Sequence, residues 1–408
     1  MPAMQFHKKK YLYLCECGRH CTITPRVEIN FVFVLLALFL CAGCNGNKKK
    51  MNGEHDLDAA NITLDDHTIS FYYNWYGNPS VDGEMKHWMH PIALAPGHSG
   101  DVGAISGLND DIACNFYPEL GTYSSNDPEI IRKHIRMHIK ANVGVLSVTW
   151  WGESDYGNQS VSLLLDEAAK VGAKVCFHIE PFNGRSPQTV RENIQYIVDT
   201  YGDHPAFYRT HGKPLFFIYD SYLIKPAEWA KLFAAGGEIS VRNTKYDGLF
   251  IGLTLKESEL PDIETACMDG FYTYFAATGF TNASTPANWK SMQQWAKAHN
   301  KLFIPSVGPG YIDTRIRPWN GSTTRDRENG KYYDDMYKAA IESGASYISI
   351  TSFNEWHEGT QIEPAVSKKC DAFEYLDYKP LADDYYLIRT AYWVDEFRKA
   401  RSASEDVQ

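Results

Sequence analysis

Eight short runs rich in β-branched and aromatic residues recur between residues 68 and 352, and amphipathic helical stretches separate them. The runs fall near 68–74 (TISFYYN), 144–150 (GVLSVTW), 173–179 (AKVCFHI), 214–220 (PLFFIYD), 247–253 (DGLFIGL), 268–274 (MDGFYTY), 302–307 (LFIPSV) and 346–352 (SYISITS). Helical periodicity is clearest over 127–142, 187–200, 286–299 and 328–343. Strands that alternate with helices call for a parallel sheet, and eight such units predict an α/β fold closed as a (β/α)8 TIM barrel. A single catalytic domain is expected over 65–403, with long loops between strands and helices. The segment 75–126 has neither periodicity, so it is expected to form an elaborate loop over one barrel face.

Composition narrows the function without naming it. Of 408 residues, 44% are hydrophobic and 22% charged, enough to bury a full core. The formal net charge of −10 supplies no excess of Lys and Arg to neutralise phosphates, which argues against nucleic acid as a partner. A neutral or weakly charged substrate fits better. Ten Trp and twenty-six Tyr suit a carbohydrate site, where the apolar face of a sugar stacks on a ring, although a large barrel buries many aromatics in its core.

The first 44 residues read as an export segment. Residues Phe31 to Leu40 (FVFVLLALFL) are too short to span a bilayer but have the size of a signal-peptide core. Leu40-Cys41-Ala42-Gly43-Cys44 resembles a bacterial lipoprotein cleavage site, with Cys44 as the lipidated residue and Cys41 where an aliphatic residue is usual. The basic stretch before the core, with Cys15, Cys17 and Cys21, is not needed by a signal peptide and lacks the paired spacing of a zinc site. Translation is therefore expected to start downstream, near Val27. Residues 45–64, rich in Asn, Gly, Lys and Asp, read as a flexible tether. The expected location is outside the inner membrane, lipid-anchored in the outer membrane; Lys48, Lys49 and Lys50 leave the periplasmic face as open as the cell surface.

Active sites of such barrels lie at the C-terminal ends of the strands, so polar and aromatic clusters just past a strand are the candidates. Past the eighth run stands Asn354-Glu355-Trp356-His357-Glu358-Gly359, two carboxylates three residues apart. Two carboxylates beside one bond divide the work, one ionised as base and one protonated as acid, which is how glycosidic bonds are generally hydrolysed. Spacing alone leaves open a purely structural pair, one Glu bound to an Arg and the other exposed. Other strand ends carry Tyr72 to Tyr76, Trp150 and Trp151, His178 and Glu180, Tyr219 and Asp220, Tyr272 and Tyr274, and the stretch 308–320 (GPGYIDTRIRPWN). His178, Glu180 and His357 also permit a metal, which ranks below the glycosidase reading. The sequence has no HExxH, Walker loop or GxSxG, and neither metal nor cofactor is expected.

Several motifs together resemble glycoside hydrolase family 99, the endo-α-1,2-mannosidases and bacterial endo-α-1,2-mannanases. They are FYYNWYGNP (71–79), FYPELGTYSS (116–125), HIEPFNGR (178–185), FFIYDSY (216–222), YTYFA (272–276), PSVGPGYIDTRIRPWN (305–320) and SITSFNEWHEGTQIE (349–363). The resemblance covers roughly 68–400. It implies metal-free endo-cleavage of α-1,2-mannosidic bonds in mannan or mannose-rich glycans, with retention of configuration through a 1,2-anhydro sugar. Glu355 would be the base on the 2-hydroxyl, and Glu358 the acid on the leaving oxygen. By the same resemblance Tyr73, Glu180, Tyr274 and Arg317 line the reacting subsite, and His178, Trp319 and Asn354 join the substrate-binding set. Trp151 occupies a place where animal members tend to carry Tyr and accept glucose, which implies mannose over glucose in the outer subsite here. Two alternatives stay open: a glycan-binding lipoprotein without activity, and a divergent barrel of a polysaccharide locus.

Overall fold

The computed structural model describes residues 63–100 and 102–405. The export segment, Cys44 and most of the tether lie outside the described residues.

Eight parallel strands form the centre: β1 (Asp65–Tyr72), β2 (Val143–Trp150), β3 (Lys174–Ile179), β4 (Lys213–Ile218), β5 (Leu249–Leu253), β6 (Gly270–Tyr272), β7 and β8 (Ile348–Ile350). Strand β7 is broken by Pro305, which has no N–H to give to a ladder. Its first part, Leu302–Ile304, pairs with β6, and its second, Ser306–Val307, pairs with β8. Since β8 also pairs with β1, the two ends of the sheet meet in the same chain segment at Pro305 and the barrel is nearly closed. The barrel expected from the sequence is thus present, strand for strand.

Eight helices follow these strands: α1 (Pro128–Lys140), α2 (Asn158–Val171), α3 (Pro187–Tyr201), α4 (Pro226–Phe233), α5 (Leu260–Thr265), α6 (Trp289–Ala298), α7 (Lys331–Ser343) and α8 (Tyr385–Glu405). Local chemistry starts them where they start. Asp127 accepts a hydrogen bond from the Glu129 N–H ahead of α1, Ser186 and Thr189 form a reciprocal capping box at α3, and Pro stands in the first turn of both. Because helices cover the outside and side chains fill the inside, strands are buried on both faces; all eight residues of β2 are.

Strand periodicity then decides which aromatic residues face the barrel interior. Phe71, His178, Phe217 and Tyr272 meet in one layer, with Phe71 4.6 Å from His178 and 5.2 Å from Phe217, and Phe217 4.9 Å from Tyr272, centroid to centroid. Their neighbours Tyr72, Phe177, Phe216 and Phe271 face the helices instead; Tyr72 bonds His134 of α1, and Phe216 stacks on Phe250. Two residues beyond the interior layer, the same parity delivers Tyr73, Glu180, Tyr219 and Tyr274 to the barrel mouth. The segment 75–126 holds a short helix (Pro79–Asp82) and two small antiparallel pairings, one of them joining Tyr117–Pro118 to Ala365–Val366. It lies against the loop that follows β8.

Candidate active site

The loop after β8 is held from several sides. Ser352 Oγ accepts the Glu355 N–H at 2.7 Å, and the Tyr76 hydroxyl donates to the Asn354 carbonyl at 3.0 Å while accepting the Trp356 N–H at 3.1 Å. Asn354 is fully buried and grips the first strand end in both senses, accepting the Tyr73 N–H at 2.7 Å and donating to the Tyr73 carbonyl at 2.9 Å. Beneath it, buried Glu363 accepts from Tyr123 (2.8 Å) and from the Trp356 indole (3.0 Å), with His134 Nε2 at 3.2 Å.

Within this frame the two carboxylates have different surroundings. Glu355 is buried and accepts the His357 N–H at 3.1 Å. Glu358 is about one-fifth exposed, with a side-chain accessibility of 22%, and lies 4.0 Å from Arg317 Nη1. Arg317 is itself anchored to buried Asp313 at 2.9 Å, and Asp313 also accepts from Tyr311 and Asn320, each at 2.8 Å. Loss of solvent is the first cause that raises both glutamates above the ordinary carboxylate range. Mutual repulsion then lifts Glu355 further, and the Arg317 charge draws both back; Glu358 settles at about 7. Two carboxylates so placed titrate as a pair and keep a proton between them near neutral pH.

The backbone of Glu358 is fixed as firmly. Its carbonyl accepts the Ile312 N–H at 2.8 Å, and Arg327 donates to the carbonyls of Gly359 (2.9 Å) and Gln361 (2.8 Å). The Arg327 guanidinium lies among three rings, 4.7 Å from Phe116, 4.7 Å from Tyr378 and 4.6 Å from Tyr386. Gly359 has φ +61°, and a Cβ there would come within 2.6 Å of Ile312 Cγ2.

Across the mouth, Glu180 accepts from Thr149 at 2.6 Å and faces His178 Nδ1 at 3.1 Å. The Tyr73 and Tyr274 hydroxyls hydrogen-bond each other, and burial pushes both phenols well up, followed by Glu180 and Glu355 for Tyr73 and by Tyr73 and Glu358 for Tyr274, so they stay protonated. Trp151 stands at the end of β2, half-buried, and Trp319 stands exposed on the turn Pro318–Thr323, its indole donating to the Ala93 carbonyl at 3.0 Å.

Seven of the ten barrel residues singled out from sequence stand at the C-terminal end of the barrel, Tyr73, Trp151, Glu180, Tyr274, Arg317, Glu355 and Glu358, while Trp319 is tied to the Ala93 carbonyl on its exposed turn. His178 and Asn354 do not reach the surface of the mouth. His178 sits one layer below, 1% exposed, with Nε2 2.7 Å from the Tyr272 hydroxyl and Nδ1 on Glu180, so it positions Glu180 and has no nitrogen left for a sugar. Asn354 spends its amide on the Tyr73 backbone. His357 Nε2 hydrogen-bonds the His87 carbonyl, and among the described residues no group of three His, Cys, Asp or Glu is placed to hold a metal ion. Cys114, Cys176, Cys267 and Cys370 are free thiols. Sequence reasoning did not single out Asp313, Tyr311 or Arg327; Asp313 and Arg317, four apart in YIDTRIR, carry the spacing that hinted at an ion pair.

A nearly closed parallel barrel with a proton-sharing pair of carboxylates and a ring of Tyr, Trp and Arg at the C-terminal mouth defines a glycoside hydrolase of the barrel class. The family model for glycosyl hydrolase family 99 matches residues 63–399, and the chain belongs to that family. It is 47% identical to the mouse glycoprotein endo-alpha-1,2-mannosidase over 81% of this chain and 75% of that protein. A human glycoprotein endo-alpha-1,2-mannosidase-like protein is also 47% identical, over 81% of this chain and 76% of that protein. Among solved structures, a GH99 endo-alpha-mannosidase from Bacteroides thetaiotaomicron is 99% identical, covers 83% of this chain and all of its own, and superposes with a TM-score of 0.82.

Proposed function

We propose that the protein cleaves α-1,2-mannosidic bonds inside mannan or mannose-rich glycans, with net retention, through a 1,2-anhydro sugar. The observation that carries this reading is the inequality of the two carboxylates. Glu358 reaches the open mouth beside Arg317, where it can meet a leaving oxygen, whereas Glu355 accepts a backbone N–H that favours its ionised form against the burial that raises it. In an axial 2-hydroxy sugar the 2-oxygen already lies behind the anomeric carbon, so an intramolecular attack has a large effective molarity. Glu355 takes the 2-hydroxyl proton, O2 bonds to C1, and the C1–oxygen bond to the leaving sugar breaks as Glu358 delivers its proton to that oxygen. A water then opens the three-membered ring at C1, giving its proton to Glu358, while Glu355 returns the first proton to O2. Two inversions give retention, and the carboxylate pair ends as it began, with one proton between its members.

Tyr73, Tyr274, Glu180 and Arg317 surround the reacting sugar in this scheme, and Trp151 walls the next one. An indole presents an apolar face there and no hydroxyl toward an equatorial group, which supports mannose over glucose at that position. The identity with endo-alpha-1,2-mannosidases supports the linkage. Lipid anchoring at Cys44 outside the inner membrane rests on the sequence of the export segment and fits the harvest of an external glycan. The test is incubation of the protein with α-1,2-branched mannan beside Glu355→Gln and Glu358→Gln variants, reading products by mass. Release of short mannosides by the unaltered enzyme alone is expected; no release from mannan or from a glucose-capped oligosaccharide overturns the reading.

A further inference from the structure

The loop after β8 carries a third carboxylate, Glu363, for which the reaction scheme has no task. Its side chain has no exposure to solvent, and its backbone closes the loop on itself: the N–H donates to the Phe353 carbonyl at 3.0 Å and the carbonyl accepts the Tyr378 hydroxyl at 2.8 Å. A carboxylate cut off from water is unfavourable unless donors surround it, so an apolar side chain would suit this place better if packing were all that was needed. Three donors surround it. Oε2 accepts the Tyr123 hydroxyl and the Trp356 indole, and Oε1 faces His134 Nε2. His134 Nδ1 in turn lies 2.9 Å from the Tyr72 hydroxyl, so a neutral ring that accepts from Tyr72 on Nδ1 and donates from Nε2 to Glu363 satisfies every member.

Two of the three donors lead to the neighbours of Glu355. Trp356, the next residue, meets Glu363 directly, and Asn354, the residue before, donates to the Tyr123 hydroxyl at 3.1 Å, which passes the contact on to Glu363. All four side chains are buried. The Glu355 carboxylate rests on the His357 N–H of the same loop, so its aim follows the backbone that these neighbours fix. The other partners come from elsewhere in the barrel. Tyr123 arrives from the long segment after β1, where its carbonyl accepts the Trp88 indole at 2.8 Å, and His134 from the middle of α1.

We infer that Glu363 is a positioning residue for Glu355, clamping Trp356 directly and Asn354 through Tyr123, with the clamp itself held by His134 and Tyr72. The inference rests on the hydrolase reading above and deepens it, adding a third carboxylate that aims the base without touching the sugar.

The experiment measures kcat, KM and melting temperature for the unaltered enzyme, Glu363→Leu, Glu363→Gln and Tyr123→Phe. The substrates are two α-mannosides with the same glycone, one with a sugar as leaving group and one with fluoride, which departs with little help from an acid. A base turned out of line slows the attack of O2 whichever group leaves, so Glu363→Leu is expected to lower kcat about a hundredfold on both, with KM within about threefold. Tyr123→Phe removes one hydroxyl and keeps the ring; it should lower kcat about tenfold on both, and it decides the matter if Glu363→Leu does not fold. Glu363→Gln should recover most of the loss, because its oxygen accepts at the place of Oε2 and its amide donates to His134 Nε2 once the ring proton moves to Nδ1. A lower melting temperature with kcat unchanged in the folded variants refutes the inference and leaves Glu363 a packing group. A loss confined to the sugar leaving group refutes it too, since the acid would then be what moved. No turnover of either substrate by the unaltered enzyme refutes the hydrolase reading, and the inference falls with it.

Discussion

Replacing Arg317 by methionine should move the pH profile of the enzyme toward alkali. Its Nη1 lies 4.0 Å from a Glu358 oxygen, and its charge opposes the rise of both glutamates. At that distance, with an effective dielectric of about 20, the attraction is roughly 4 kcal/mol, or about 3 pH units if nothing screened it. Arg317 is one-third exposed and shares its charge with Asp313 at 2.9 Å, so about one to two units is the shift expected in the variant. The sign follows from the acid's role. Glu358 must hold a proton to assist departure, and without the cation it holds that proton to higher pH, so the alkaline limb of kcat/KM moves up from neutral. The same cation opposes the rise of Glu355, so both limbs of the pair's profile move the same way and the rate near neutral pH falls. Arg317→Lys keeps the charge and should keep the limb near its original place while losing rate, because the anchor to Asp313 is altered. The assay is mannoside release across the pH range in which each variant stays folded. An alkaline limb that stays put, or moves toward acid, in a folded Arg317→Met protein refutes this account of how the acid is tuned.

Three more outcomes follow from named contacts. Arg327→Met should lower kcat far more than it raises KM, since the Gly359 and Gln361 carbonyls lose their donor, and the loss should nearly vanish in a Glu358→Gln background; an additive loss would mean general destabilisation. His178→Ala should cost about 2 to 3 kcal/mol in denaturant unfolding by leaving the buried Tyr272 hydroxyl without a partner, and should raise KM through a loosened Glu180; an unchanged KM would show that Glu180 does not need this support. Gly359→Ala should destabilise by at least about 2 kcal/mol in the same assay, because a left-handed backbone and contact with Ile312 add up; a neutral effect would mean the loop relaxes.

Strand periodicity made the barrel legible because parallel strands buried on both faces are dense in Val, Ile and Phe and each is bounded by turn residues, as at 144–150 and 214–220. It also carried most of the site, since residues such as Tyr73, Glu180 and Tyr274 stand at strand ends, where the fold places its chemistry. What proximity to a strand end does not reveal is depth. His178 and Glu180 look equivalent in HIEPF, yet one is a layer lower and works through the other. Asn354, beside Glu355 in the same motif, is consumed by the backbone of β1, a contact 281 residues away that no local pattern encodes. Arg327 is the extreme case: it lies outside the motifs, and only the packing of Phe116, Tyr378 and Tyr386 brings it to the loop of the acid.

The central claim is that Glu355 acts on the 2-hydroxyl of the reacting mannose and not on its anomeric carbon. The most direct measurement is turnover of an α-mannoside whose reacting sugar lacks only that 2-hydroxyl, against its parent with the same leaving group. Without the 2-oxygen no anhydro sugar can form, so the account predicts turnover of the parent and none of the 2-deoxy compound. Hydrolysis of the 2-deoxy compound at a rate comparable to the parent would contradict it and make Glu355 a direct nucleophile.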